Sequence, residues 1–368
     1  LSKFPSQQKK QGTSRVKNPY ILATMKTKFA KIFVLLFMIL PMGLLAGYAS
    51  YGNDYLNLLR GPGGELYGAA YGLMQYGSEN TMLNPTRLGE TSNKSLYLYH
   101  STWFRNEVSA SSVAFTFKFK DQPLGIMVSR IGISDIPDSR NALLDYGLDG
   151  IPGTGDTGEG NGQLDENEII DYDGVLFTGI ANYSVHLGMP VYQKNNFTLG
   201  LDLGFLYTSL IETNGYGLTF DLHAEHKGQY VQSLYSLKNL PSAIMVFDNG
   251  AAQYYPPQFK AAWVVPFVAG DFKFKPGISS AMSFTENLDY YMFSIGSVLA
   301  VDVQPLVQIE YKSIVAAGIS YRWGDGLHAG IEFSMPLLDV SYSFRPSANG
   351  DLGSSHLISL RMSTDIFK

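Results

Sequence analysis

The sequence predicts an all-β fold, a transmembrane antiparallel β-barrel preceded by a short N-terminal hatch of helix and loop. Three observations predict it: few charged and many aromatic residues, a period-2 alternation of apolar and polar residues, and an export signal near the N-terminus. Charged residues make up 16% of the 368 and aromatic residues 13%, whereas soluble globular chains average roughly 25% charged. Such a composition suits an outer surface in lipid with aromatic girdles at both rims. A soluble β-sandwich rich in aromatic residues shares it, so composition alone does not choose.

The export signal chooses further. Lys26, Lys28 and Lys31 form a basic region, and Ile32 to Leu45 is an apolar run broken only by Pro41 and Gly43. The run is short for a spanning helix and fits the core of a signal peptide. Small residues at Gly47 and Ala49 place the cut after Ala49. Residues 25–49 are therefore expected as a cleaved signal peptide, and the polar, aperiodic residues 1–24 as a non-native or disordered upstream extension. Residues 50–92 form the hatch and 93–368 the barrel, and the expected location is the bacterial outer membrane. The first 49 residues hold eight of the 27 Lys and Arg and none of the 32 Asp and Glu, so the remainder carries 19 − 32 = −13. An acidic chain speaks against nucleic-acid binding. With no cysteine, disulfides, thiolate metal sites and cysteine nucleophiles are excluded.

Beyond Asn93 the alternation dominates. Leu199, Leu201, Leu203, Phe205 and Tyr207 share one face, with Gly200, Asp202 and Gly204 on the other. Phe115, Phe117 and Phe119 alternate with Thr116, Lys118 and Lys120; similar runs surround Ile309, Ile319, Tyr342 and Leu360. Period 2 marks strands, whose successive side chains point to opposite faces. Counting the segments gives roughly 12 to 14 strands, an even number. The aromatic face would meet lipid. The polar face, carrying Lys118, Lys120, Asp202, Glu310, Lys312, Arg322, Arg345 and Arg361, would line a lumen. Turns are expected at Asp121-Gln122-Pro123, Gln193 to Asn196, Trp323 to Gly326 and Asn349 to Asp351. Residues 134–172 are expected as a long acidic extracellular loop.

That loop carries the most suggestive chemistry. Aligned on Gly162, an EF-hand-like frame puts Glu159, Asn161, Asp165 and Glu168 in ligand places for Ca²⁺, which takes several oxygen ligands. The first position would be Thr157 instead of Asp, and a solvated acidic loop is the alternative. Gly153 to Gly158 spells a G-x-G-x-x-G pattern without the strand and helix a dinucleotide site needs. Asp156-Thr157-Gly158 lacks the second carboxylate of a proteolytic dyad. His223 and His226, three apart on a strand, point to opposite faces and make no zinc pair. No nucleophile meets a base in the sequence, and the chain is not expected to be an enzyme.

Several short motifs resemble the PorV/PorQ-type family of outer-membrane barrels, similar to FadL-like transporters. In the hatch these are Leu58-Leu59-Arg60-Gly61, Gly68-Ala69-Ala70 and Asn84-Pro85 with Leu88, followed by His100 and Trp103, where the family has a polar-aromatic pair after the first strand. The C-terminal half contributes Glu310-Tyr311, Ala317 to Arg322, Ser341 to Phe344 and Leu352 to Leu360. Thr86 stands where the family usually has Ala. The resemblance implies a barrel of 14 strands whose lumen is partly filled by a hatch that includes Gly61, Gly68, Asn84 and Pro85. It implies a role in type IX-like protein secretion or surface attachment, with secretion-system subunits and exported cargo as partners. The alternative it carries is a FadL-like transporter of hydrophobic small molecules, which would need an apolar pocket near the hatch.

Overall fold

Period-2 segments become strands because the barrel gives each strand two different solvents. The computed structural model describes residues 54–90, 95–139, 142–284, 292–295, 299–346 and 353–363; the expected signal peptide and upstream extension lie outside them. The strands are β1 Ser95–Trp103, β2 Val108–Phe119, β3 Gln122–Asp138, β4 Leu176–Lys194, β5 Phe197–Ser209 and β6 Asn214–Lys227. β7 comprises Gln232–Lys238 and Ala243–Phe247, and β8 comprises Ala252–Tyr255, Gln258–Val264 and Phe267–Ala269. β9 Phe272–Phe284, β10 Leu299–Tyr311, β11 Val315–Arg322, β12 Gly326–Ser334, β13 Leu338–Arg345 and β14 Ser355–Ser363 complete the wall. Each pairs antiparallel with its neighbours, and β1 closes on β14 from Ser95↔Ser363 to Thr102↔His356. The result is a closed barrel of 14 strands, which leaves no open edge in lipid.

The inward and outward faces follow the expected parity. In β5 the even positions from Thr198 to Thr208 are buried in the lumen, while Leu203 and Phe205 face out. Outward rings gather near both ends. Tyr207 lies between Tyr183 and Tyr216, with ring centroids at 5.9 and 5.3 Å. At the opposite end Phe272 stands 5.0 Å from Tyr311, and Phe274 stands 5.1 Å from Phe267. These are the two aromatic girdles that anchor a barrel at its membrane interfaces.

The ends differ in their connections. At one end β2–β3, β4–β5 and β8–β9 are joined by two residues each, Lys120-Asp121, Asn195-Asn196 and Gly270-Asp271. Lys120 and Asp121 both adopt positive φ, 47° and 67°, the geometry of a type I′ hairpin. The first turn is thus one residue earlier than expected, and Gln122 and Pro123 belong to β3. The other end carries the long connection from β3 to β4. Strand β3 runs to Asp138, four residues past the expected loop start at 134. Within the loop Leu143–Leu144 pairs with Ile169–Ile170.

Two neighbouring wall strands, β7 and β8, are interrupted. Beyond Leu218↔Ile244 and before Leu222↔Leu237, three residues of β6 face six of β7, Lys238 to Ala243. Pro241 lies in the bulge, and Pro256-Pro257 interrupts β8 opposite it. Proline removes a ladder donor, so such residues belong at breaks.

The hatch occupies the lumen. It is built of short pieces: a 3₁₀ turn Asp54–Leu59, α1 Gly61–Tyr67 with Pro62 in its first turn, a second 3₁₀ turn Gly68–Ala70, α2 Tyr71–Met74, α3 Asn80–Leu83 and a third 3₁₀ stretch Pro85–Glu90. Frequent glycines keep any of them from growing. Leu66, Tyr71 and Met74 pack on Leu234, Val264 and Leu306 of the wall. Leu59 and Met82 join Tyr97, Trp103 and Met127.

Candidate functional site

The hatch meets the wall backbone to backbone where the wall has no side chains. A Cβ on Gly188 of β4 would overlap the Thr81 carbonyl, and one on Gly125 of β3 the Thr81 hydroxyl. A Cβ on Gly200 of β5 would sit 2.8 Å from the Thr86 amide. These strand glycines form a smooth seat for residues 81–86, the use of strand glycine that outweighs its weak β-propensity.

The hatch motif residues each have a place in that fit. Gly61 takes φ +71° and passes so close to Tyr97 that a side chain would overlap its hydroxyl. Gly68, at φ +58°, lies against Ser279 and Gln304, whose side chains bind Ala69 N at 2.9 Å and Leu66 O at 2.9 Å. Asn84 donates from Nδ2 to Gly72 O and to Glu225 Oε2, both at 2.9 Å. Pro85 is buried and starts the final 3₁₀ stretch.

Charges lock the hatch at two levels. Toward the short-turn end, Arg87 donates to Glu225 Oε1 through Nε at 2.9 Å and Nη2 at 2.7 Å; the side chains are 0% and 1% exposed. Nη1 donates to Leu73 O at 2.5 Å, and the Thr86 hydroxyl donates to Glu225 Oε2 at 2.6 Å. At the same end Arg361 of β14 binds Glu79 of the hatch at 2.5 Å, Asp339 at 2.6 Å and Glu332 at 3.1 Å. Toward the long-loop end, hatch Glu65 meets Arg345 at 3.2 Å and Arg322 at 3.6 Å. Both arginines also bind Asp325. Ligand atoms of Glu65, Asp325 and His328 lie within 4.8 Å of one another, the one grouping of metal-ligating side chains among the described residues. The two guanidiniums already occupy these carboxylates, so the group reads as an ion-pair cluster.

A cavity of about 50 Å³ remains between hatch and wall. On the hatch side it is lined by Leu56, Met82 and Leu83 together with Arg60; on the wall side by polar residues, among them His186, Asp221, Lys238 and Lys260. It adjoins the β7 bulge, because Asn239 lines it while Leu240 N donates to Phe220 O across the break.

The other expected lumen residues are distributed as follows. Asp202 is fully buried and accepts from His186 Nδ1 at 2.8 Å. Glu310 pairs with Lys275 at 3.0 Å. Lys118 has the inward parity but lies exposed beside the short turn, so it is a rim residue and lines no packed lumen. His223 is buried and bonded to Ser236, while His226 faces out.

The four residues expected as calcium ligands do not converge. Glu159 turns its carboxylate to the amides of Gly153 and Gly155, and Glu168 accepts from Gly147 N and Asp165 N at 2.9 and 2.8 Å. Between their side chains one contact is made, Asn161 Nδ2 donating to Asp165 Oδ2 at 2.8 Å. The hub is Asp145, which accepts from Gly162 N at 2.6 Å and Gly160 N at 2.7 Å. The Gly162 amide, with the Gly160 amide behind it, holds the Asp145 carboxyl below the usual carboxylate range. Sequence reading missed Glu65, Glu79, Arg87 and Glu225. Three of these are rare charges in a glycine-rich stretch, a signal that was available.

Removing one partner of a buried ion pair strands the other, at a cost of about 3–5 kcal/mol. Glu225→Gln and Arg87→Met should each lower the unfolding midpoint and open the hatch to protease, and the double variant should cost less than their sum. Additivity within about 0.5 kcal/mol would show that the two do not interact. For the loop, a carboxyl with lowered folded pKa stabilises above its unfolded value of about 3.9 and ceases to as pH falls through the folded one. Proteolysis within 145–168 should therefore stay slow down to about pH 4 and accelerate below, with Asp145→Asn fast throughout. Slowing of wild-type cleavage by calcium, reversed by chelator, would instead show the expected calcium site forming on binding.

No family model matches the chain, and no curated protein is similar to it in sequence. Among solved structures it is similar to a FadL homologue of Pseudomonas aeruginosa, at 12% identity and a TM-score of 0.44 over 82% of this chain and 95% of that one. The Ralstonia pickettii toluene transporter TbuX gives 9% and 0.45 over 82% and 98%. The monoaromatic hydrocarbon channel CymD gives 11% and 0.47 over 86% and 99%. At this level of likeness, the fold assignment rests on the strand pairing itself.

Proposed function

We propose that this protein is an outer-membrane channel that passes small, mainly hydrophobic solutes bearing a polar group, with the hatch as its movable closure. The observation that carries the reading is the cavity, lined by Leu56, Arg60, Met82 and Leu83 of the hatch and by polar residues of the wall, beside the β7 bulge. The anchoring supports it. Ion pairs exchanged for water lose less than apolar contacts would, since charged groups are well solvated once exposed. A hatch fixed mainly by such pairs can shift when water or solute enters. The sequence resemblance to FadL-like transporters points the same way.

A role in protein secretion or surface attachment, the other implication of the resemblance, ranks behind it. That role rests on the resemblance alone, whereas the solute reading also has the cavity between hatch and wall.

The chain has no native cysteine, so a single engineered pair tests the closure. A Cβ on Gly125 would lie 3.1 Å from Thr81 Cβ, near the roughly 3.5–4.5 Å of a disulfide. Oxidised T81C/G125C should lose uptake of a hydrophobic tracer in cells and recover it on reduction, while a deletion strain loses uptake and still secretes normally. Equal uptake in the oxidised and reduced states would mean that the hatch does not move. Stranded cargo in the deletion strain would restore the secretion reading, and normal results in both assays would leave a structural barrel.

A further inference from the structure

The outer face of the wall carries a charge that lipid chains cannot solvate. Around β1 to β4 the outward residues form rows, which the strand register joins side by side. One row is Leu98, Val113, Val128 and Val185, an apolar band suited to acyl chains. The next row toward the long-loop end is His100, Ser111, Arg130 and Tyr183. Tyr183 continues it into Tyr207 and Tyr216 of the aromatic girdle, which puts the row at headgroup level.

Arg130 is exposed and makes no hydrogen bond or ion pair with any described residue. Its guanidinium reaches toward the long-loop end, where a Cβ on Gly132 would lie 3.1 Å from Nη2. The row that follows is Thr102, Ser109, Gly132 and Ala181, all small, and leaves room beside the cation. A charge on a lipid-facing wall needs water or a counter-charge, and a long side chain turns to the interface to find one.

The neighbouring strands supply a second, independent indication. Ser111 of β2 stands opposite Arg130, and its hydroxyl lies 2.9 Å from His100 Nδ1 of β1. That contact holds the imidazole in the same row. With the hydroxyl donating to Nδ1, the ring proton sits on Nε2 and adds a donor beside the guanidinium.

We propose that the outward face of β1 to β4 binds the phosphate of an anionic lipid in the leaflet at the long-loop end. Arg130 is its counter-charge, His100 a flanking donor, and the valine row the seat of an acyl chain. A guanidinium meets phosphate through two parallel N–H···O bonds, a geometry that a neutral lipid's hydroxyl does not offer. Basic groups at a membrane surface attract anionic headgroups for the same reason. The apolar row and the cation row are two residues apart along each strand, about 6.6 Å, a separation that one lipid spans from chain to headgroup. The inference concerns the outer wall and is independent of passage through the lumen.

The probe is a phosphatidic acid labelled on one acyl chain, titrated by fluorescence anisotropy into the protein in nonionic-detergent micelles at constant ionic strength. The equally labelled diacylglycerol is the comparison without phosphate. Phosphatidic acid should bind at least about tenfold more tightly, the effect of one charge-assisted contact. Arg130→Leu should remove that margin and leave diacylglycerol binding unchanged, in protein that still shows heat-modifiable migration, since leucine suits the lipid face. His100→Phe should reduce the margin by a smaller factor. Should Arg130→Leu fail to fold, the wild-type margin and His100→Phe decide. Inorganic phosphate should not displace the lipid; displacement would mean a site for free phosphate and overturn the lipid assignment. Equal binding of the two lipids by the wild type, or an unaltered margin in the folded variants, would also overturn the proposal.

Discussion

A charged side chain inside a barrel that crosses lipid must find a counter-charge or water, and in this barrel the hatch provides it. Arg322, Arg345, Arg361 and Glu225 all point inward from the wall. Glu65, Glu79 and Arg87 of the hatch meet them in pairs of opposite sign. The pairing fixes where the hatch lies along the barrel axis. Glu65 serves the long-loop end, and Glu79 with Arg87 serves the short-turn end. Glycines at 125, 188 and 200 then allow the backbone to approach closely enough for those pairs to form.

The energetic character of this arrangement differs from that of a packed core. Desolvating an ion costs several kcal/mol, largely offset by its partner, so a buried pair adds little net stability over an apolar one. Its contribution is specificity: in this orientation Glu65, Glu79 and Arg87 of the hatch each meet a wall charge of opposite sign. Apolar contacts around Leu66, Tyr71 and Leu59 supply the adhesion, while the charges supply the register. A closure built this way is tight when dry and releasable when wet.

How much of this was legible in the sequence depends on the range of the interaction. The alternation at Leu199 to Tyr207 gave the strand and its lumen face because period 2 is a local property of the chain. The fold class was readable that way, and Asp202, Glu310, Arg322, Arg345 and Arg361 have inward parity on their strands; the hatch came from the family resemblance and a glycine-rich stretch without alternation. Partners were not readable: Arg87 and Glu225 lie 138 residues apart, and nothing local to either names the other. In the acidic loop the residue types and spacing suit a cation, and the glycines, at positive φ from Gly147 to Gly162, direct amides onto several of the same carboxylates; calcium-dependent proteolysis decides between the two uses. The turn at Lys120-Asp121 was missed by one residue because Pro123 looked like a turn proline, whereas β3 accommodates it within the first residues of the strand.

The central claim is that residues 54–90 close the lumen through charge pairing with the wall. Ion conductance in planar bilayers tests it most directly. The wild-type barrel should be nearly silent, and the triple variant Glu65→Gln, Glu79→Gln, Arg87→Met, with the wall unaltered, should show steady conductance steps. A triple variant that stays as silent as the wild type, with its hatch still protected from protease, would contradict the claim.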